Sequence, residues 1–294
     1  MILITTSNGV FRLRAEDPAS RLVLPRHRGF WFFRRGSGGF FGIAPHPEGD
    51  SFLAASREKL GTPRHDKPWT DTRLYRIWKD EQRLPAAVAD LRDVHDVHQI
   101  ATARDLVLLT DTGKNRVTVH DLATGSTRAL NVGPERRDIN HVNALHVQGD
   151  EVLVGLNNRG DKPAEILTVP LAGLASAAAG ADLLQLGRIE TLGEQLHTHD
   201  IEPFGDDHLY CASHAGRVHR RSTREPILHC GDWVRGLAVG PEGLWVGASA
   251  LAERSERHRE DKDGQVHLYD PATLELKRSW QLTGAGQVND IVAW

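Results

Sequence analysis

The sequence predicts an all-β fold, a six-bladed β-propeller, and three observations predict it. A strand–turn–strand module recurs five times, a third strand follows each copy, and a sixth copy is split across the two ends of the chain. Residues 1–294 read as a single propeller domain, a comfortable length for one large β domain.

The five modules are FFGIAPHPEGDSFLAAS from 40, DVHQIATARDLVLLTD from 96, HVNALHVQGDEVLVGLN from 141, THDIEPFGDDHLYCAS from 198 and VRGLAVGPEGLWVGAS from 234. Each has an apolar first strand, a turn rich in Gly or Asp, and an apolar second strand ending in small residues. The third strands are TRLYRIWKD, NRVTVHDLATG, AEILTVPL, GRVHRRS and GQVHLYDPATLEL. Repeats spaced about 40 to 55 residues apart have the length of four-stranded blades. QVNDIVAW from 287 supplies the inner strand of a sixth blade and MILITTSNGVFRLR its next two, so pairing of the two ends leaves no open sheet edge. A pair of β-sandwiches would make that split copy a coincidence. The Ala-rich LAGLASAAAGADLLQLG from 171 reads as a short helix or a loose connection between blades.

Composition narrows the partner. With 36 Lys and Arg against 39 Asp and Glu, the chain offers no basic face for nucleic acid or for an anionic membrane. No apolar run approaches the ~20 residues of a spanning helix. A small molecule is the expected ligand. The two cysteines, Cys211 and Cys230, form no CxxC pair and fit a reducing, cytoplasmic setting, and the N-terminal stretch lacks the features of a signal peptide.

In a propeller the first strand of each blade lines the central channel, and residues two apart share a face. Aligning the copies places Phe41, His98, Asn143, His199, Arg235 and Asn289 at one level, with Gly39, Asp96, His141, His197, Trp233 and Gln287 one step further out. So many polar groups around one axis do not make a packing core; they imply a shared ligand, metal or ordered water. On this alignment His197 and His199 point together into the channel mouth. A structural role, bonding a turn in the neighbouring blade, is the other role open to any one of these histidines.

The triplets NAL at Asn143, RGL at Arg235, NDI at Asn289, HQI at His98 and HDI at His199 give the chain a register that resembles the gluconolactonase and senescence-marker-protein family of six-bladed propellers. In that family, short Asn-Gly-Leu motifs begin inner strands and the first residue binds a divalent metal. The resemblance puts Asn143 and Asn289 at ligand positions, with His98 and His199 replacing oxygen ligands. The family's acidic ligand on the first blade has no counterpart, because Phe41 or Gly39 stands there. Imidazoles in place of oxygens favour iron, manganese or zinc over calcium or magnesium.

The expected function is therefore a metal-dependent enzyme acting on a small anionic substrate, of hydrolase or lyase type. His98, His199, His141 and His197 are the candidate metal ligands, and His141 or His197, if left outside the metal, the candidate acid–base group. Arg235 would clamp the anion, Trp233 would wall or stack on the substrate, and Asn143 and Asn289 would bind it. One alternative is a non-haem iron oxygenase, similar in ligand type alone to the carotenoid oxygenases. Another is a non-catalytic binding propeller. Two long charged loops, from 57 and from 250, are candidate lids, and His214 could overhang the mouth.

Overall fold

The computed structural model describes residues 1–25, 39–58, 71–193, 197–231, 233–250 and 261–294, with Ala252, Glu256 and Arg259 in addition. Residues 59–70 of the first candidate lid loop and 251, 253–255, 257, 258 and 260 of the second lie outside these residues. The described strands form six four-stranded antiparallel sheets, the blades of a six-bladed β-propeller. Blades one to five begin with the inner strands Gly39–Pro45, Ile100–Ala103, Val142–Gln148, Thr198–Phe204 and Trp233–Gly240. Blade six pairs Val288–Ala293 with Ile2–Thr6, Ile2 lying opposite Ala293, and adds Gly9–Leu13 and Arg21–Pro25. The Ala-rich stretch contributes one short helix, Leu171–Ser176. No helix among the described residues is long and apolar enough to cross a membrane.

The chain divides into two compact units, one comprising 1–43 and 199–294, the other 44–198. Alternating apolar residues pack blade to blade within each. In the first unit, Leu209, Cys211 and Val218 of blade four meet Val234, Leu237 and Val246 of blade five. Trp245 and Trp280 of blade five, with ring centroids 5.4 Å apart, pack against Ile2, Ile4 and Phe11 of blade six. In the second unit, Val117, Val119 and Leu130 of blade two pack with Leu145, Val154 and Leu167 of blade three. Each such side chain, fully buried, contributes about 1.5–3 kcal/mol.

A second pattern lies in the middle residue of each triplet. Around the blades it alternates between small and polar: Gly42, Gln99, Ala144, Asp200, Gly236, Asp290. Every polar member accepts a backbone N–H from the next blade. Gln99 Oε1 accepts from Leu145 at 2.8 Å, Asp200 Oδ2 from Gly236 at 3.0 Å, and Asp290 Oδ2 from Ile43 at 3.0 Å. At Gly236, whose φ is +82°, an added Cβ would stand 2.7 Å from Ile291 Cγ1. Blades two and three, four and five, and six and one are thus stapled in pairs.

Candidate functional site

The triplets sit where the inner strands depart from regular pairing. The ladder of blade three shifts between Val142 and Ala144, that of blade five between Val234 and Leu237, and that of blade six where Thr5 and Thr6 face Asp290 and Val288. Asn143, Asn289 and, together with Gly236, Arg235 are the residues passed over at these shifts. A bulge inserts an unpaired residue and re-aims its side chain, which is why these polar residues leave their ladders. Left-handed backbone adds to this: Asp96, His141 and His197 have φ of 53°, 48° and 57°, and Asp200 has 53°. Strict alternation therefore ends at the start of the strands, and the parity expected to aim His197 and His199 together does not extend through His197.

In the first unit His199, Trp233, Arg235 and Asn289 are all buried. His199 Nδ1 lies 2.8 Å from Ser213 Oγ, and its Nε2 lies 2.5 Å from an Arg235 guanidinium nitrogen. A guanidinium can only donate, so Nε2 is the acceptor, the proton sits on Nδ1, and the imidazole is neutral. The Arg235 guanidinium also lies over the Trp233 ring, 5.3 Å from its centroid, while His199 and the exposed His214 approach that ring edge-on, each at 6.0 Å. Beneath them Asp200 is buried; loss of water raises its pKa to about 6, although the Gly236 N–H and the Arg235 charge favour its carboxylate. Burial and the charge of Asp200 push Asp290 well up too, and burial pushes Glu202 to about 8.

In the second unit His98 and His141 meet, their rings T-shaped with centroids 4.9 Å apart. His98 Nδ1 lies 3.0 Å from the Asp96 carbonyl and 2.9 Å from Thr112 Oγ1. His141 Nδ1 is 3.0 Å from both carboxylate oxygens of Asp138, which Arg159 also approaches. The half-buried His197 donates its backbone N–H to Asn157 Oδ1 at 3.1 Å.

Asn143 and Asn289 behave alike. Each donates its side-chain N–H to a carbonyl just ahead of another triplet, Asn143 to Thr198 at 2.6 Å and Asn289 to Phe40 at 2.7 Å. Each keeps a buried Oδ1 that has no hydrogen-bond partner among the described residues. Phe41 is half-buried and its carbonyl accepts from Thr5 Oγ1. Among the described residues, the one set of three His, Cys, Asp or Glu side chains with ligand atoms within 4.8 Å of one another is His46, Glu48 and Asp50. That set lies in the first turn of blade one, and Arg76 already pairs with both acids. None of the four candidate histidines belongs to such a set.

The residues that sequence reasoning missed are the Nδ1 partners Ser213, Thr112 and Asp138, and the stapling acids Asp200 and Asp290. Ser213 and Thr112 were findable, because each follows the second strand of its blade and opens a short turn, Ser213–Ala215 and Thr112–Lys114.

No family model matches the chain, and no curated protein matches it by sequence. Solved structures resemble it in fold. A chain of a nidogen/laminin complex superposes with a TM-score of 0.66 at 10% identity, over 99% of this chain and 97% of that one. A candidate 6-phosphogluconolactonase from Bacteroides fragilis gives 0.55 at 11% identity, over 99% and 96%. Another from Bacteroides uniformis gives 0.54 at 14% identity, over 94% and 80%. At such identities the likeness shows the propeller fold and nothing finer.

Proposed function

We propose that the chain is an enzyme of hydrolase or lyase type that binds a small anionic substrate at the His199–Arg235 cluster of the first unit. The observation that carries this reading is the buried guanidinium donating to a neutral imidazole nitrogen. An anion is a far stronger partner for that guanidinium than imidazole is, and a carboxylate or phosphate can take two of its N–H groups at once. When substrate occupies Arg235, His199 Nε2 loses its donor and becomes available as a general base, with Ser213 holding the ring through Nδ1. The base is then unmasked by the substrate it serves. Trp233 walls the cluster and fixes the plane of the guanidinium. Two of the solved neighbours carry a lactonase name, which agrees with a hydrolase but is said of those proteins alone.

Metal dependence is a second reading, favoured by the buried Oδ1 atoms of Asn143 and Asn289, each of which suits an oxygen-binding cation. His199 does not fit as a ligand, because both its nitrogens are engaged. A bound metal would supply Lewis-acid polarisation; the proton transfer at His199 does not require it.

The test is calorimetry with inorganic phosphate and small carboxylates, followed by assays of the same anions as esters or lactones. Arg235→Gln is expected to weaken anion binding about 100-fold. Anion affinity that is unchanged in that variant would overturn the reading.

A further inference from the structure

The first unit has a concave feature that the His199–Arg235 chemistry does not use. His199 and Arg235 stand near the start of the inner strands of blades four and five, and at the far end of the same two strands the turns leave an open cleft of about 660 Å³. Small-ligand pockets occupy ~300–1,000 Å³. We propose that this cleft binds a free amino acid with an apolar side chain, its carboxylate on Arg220 and its ammonium group on Asp206. The site does not rest on the hydrolase or lyase reading, and either can fail alone.

The walls are held by the chain's own bonds. Asp207, which opens the second strand of blade four, accepts from the backbone N–H groups of His208 and Ser222 and from Ser222 Oγ, tying the first turn of the blade to the turn after its third strand. In blade five, Asp270 Oδ1 accepts from the N–H groups of Ala272 and Thr273 at 2.9 and 3.1 Å and shapes the turn that carries Pro271 and Ala272. A wall formed in advance lowers the ordering entropy lost on binding.

The lining offers apolar surface and two opposite charges. Phe204, Val239 and Pro271 supply the first, and Val239 is 37% exposed although it lies in an inner strand. The Arg220 guanidinium lies over the Phe204 ring, 5.4 Å from its centroid, and has no hydrogen-bond or ion-pair partner among the described residues. Asp207 feels its charge, but the oxygens of that carboxylate are already engaged. Asp206 lines the same cleft, and its carboxylate has no partner among the described residues either. Two opposite charges that share a cleft without pairing, beside apolar surface, complement a small head that carries both charges and an apolar side chain. The guanidinium takes a carboxylate through two N–H groups at once, and stacking on Phe204 fixes the plane of that fork. A simple anion would face Asp206 unfavourably, and a simple amine would face Arg220 so.

The experiment titrates the full chain, labelled for backbone nuclear magnetic resonance, with phenylalanine, leucine, phenylpropionate and phenethylamine. Phenylalanine and leucine should give saturable shifts at residues 204–207, 220, 222, 239 and 271–272. Phenylpropionate, which lacks the ammonium group, and phenethylamine, which lacks the carboxylate, should each bind about 10-fold or more weakly, a comparison that needs no variant to fold. Arg220→Gln and Asp206→Asn should each weaken phenylalanine binding about 10-fold or more. Arg217→Gln, exposed on the same hairpin and outside the cleft, should leave it unchanged, as should Arg235→Gln. The proposal is overturned if phenylalanine gives no saturable shift at millimolar concentration. It is overturned as well if phenylpropionate or phenethylamine binds as tightly as phenylalanine, since one charge would then suffice. Shifts confined to the surroundings of His199 and Arg235 would assign the ligand to the anion cluster instead and overturn it too.

Discussion

His199 and His98 hold the same place in their triplets, and both lean Nδ1 on a hydroxyl that opens a short turn, Ser213 for one and Thr112 for the other. They differ in what faces the rest of the ring. Arg235 donates to His199, whereas His141, itself held by Asp138, stands edge-on to His98. One register position thus gives an imidazole masked by a cation in the first unit and an imidazole paired with its own kind in the second. The lesson is that residue type and register select a group, while the neighbour at the next triplet selects its chemistry.

The sharpest way to break the comparison is to remove each imidazole in turn. His199→Ala should cut kcat/KM on an anionic substrate by about 10²–10⁴, the usual contribution of a general base, and His98→Ala should cost less than 10-fold in metal-free protein. Equal losses would show that the two imidazoles are not chemically distinct. Next in size is Gly236→Ala, where strain at φ +82° adds to the clash with Ile291. A loss of about 2–3 kcal/mol in urea unfolding is expected there, against under 1 kcal/mol for Ala144→Gly, the matching small position of the second unit.

The staples give a third contrast, between an acid and an amide. Asp200 has its pKa raised to about 6 from 3.8, so the contribution it makes to stability in its protonated form is present below pH 4 and lost as pH rises through about 6. Asp200→Asn keeps an acceptor for the Gly236 N–H and removes that loss. It should stabilise the fold by on the order of 2 kcal/mol at pH 8 and by little at pH 4. In the second unit Gln99→Glu should do the reverse, destabilising at pH 8, and a pH-independent response of either variant would count against the staple. The smallest effect is expected from the hydroxyls. Ser213→Ala and Thr112→Ala should each cost about 1 kcal/mol of stability, with an additional fall in activity for Ser213→Ala alone.

The blades were legible because strand periodicity and Gly/Asp turns are local signals. The split sixth blade was legible because QVNDIVAW matches the other inner strands on its own. The triplets marked Asn143, Arg235 and Asn289, and each of these residues lies at a bulge of its own ladder. What alternation could not convey is backbone hand: His141 and His197 are left-handed, and a period of two says nothing about a residue that departs from the strand. Nor could it convey partners. Arg235 reaches His199 across 36 residues, a gap that no short motif spans. The alternation of Gly42, Gln99, Ala144, Asp200, Gly236 and Asp290 was legible in the sequence, while the backbone N–H groups that the polar members accept from were not, because a main-chain partner leaves no mark on residue type.

Blade six has a consequence for how the molecule comes together. Ile2 pairs with Ala293, so its sheet joins segments that have almost the whole chain between them. Contacts of such long range are slow to form, and until they do the strand Ile2–Thr6, wholly buried in the finished blade, presents an unpaired apolar edge. During folding that edge is open to pairing with another chain until Val288–Ala293 arrives to cover it.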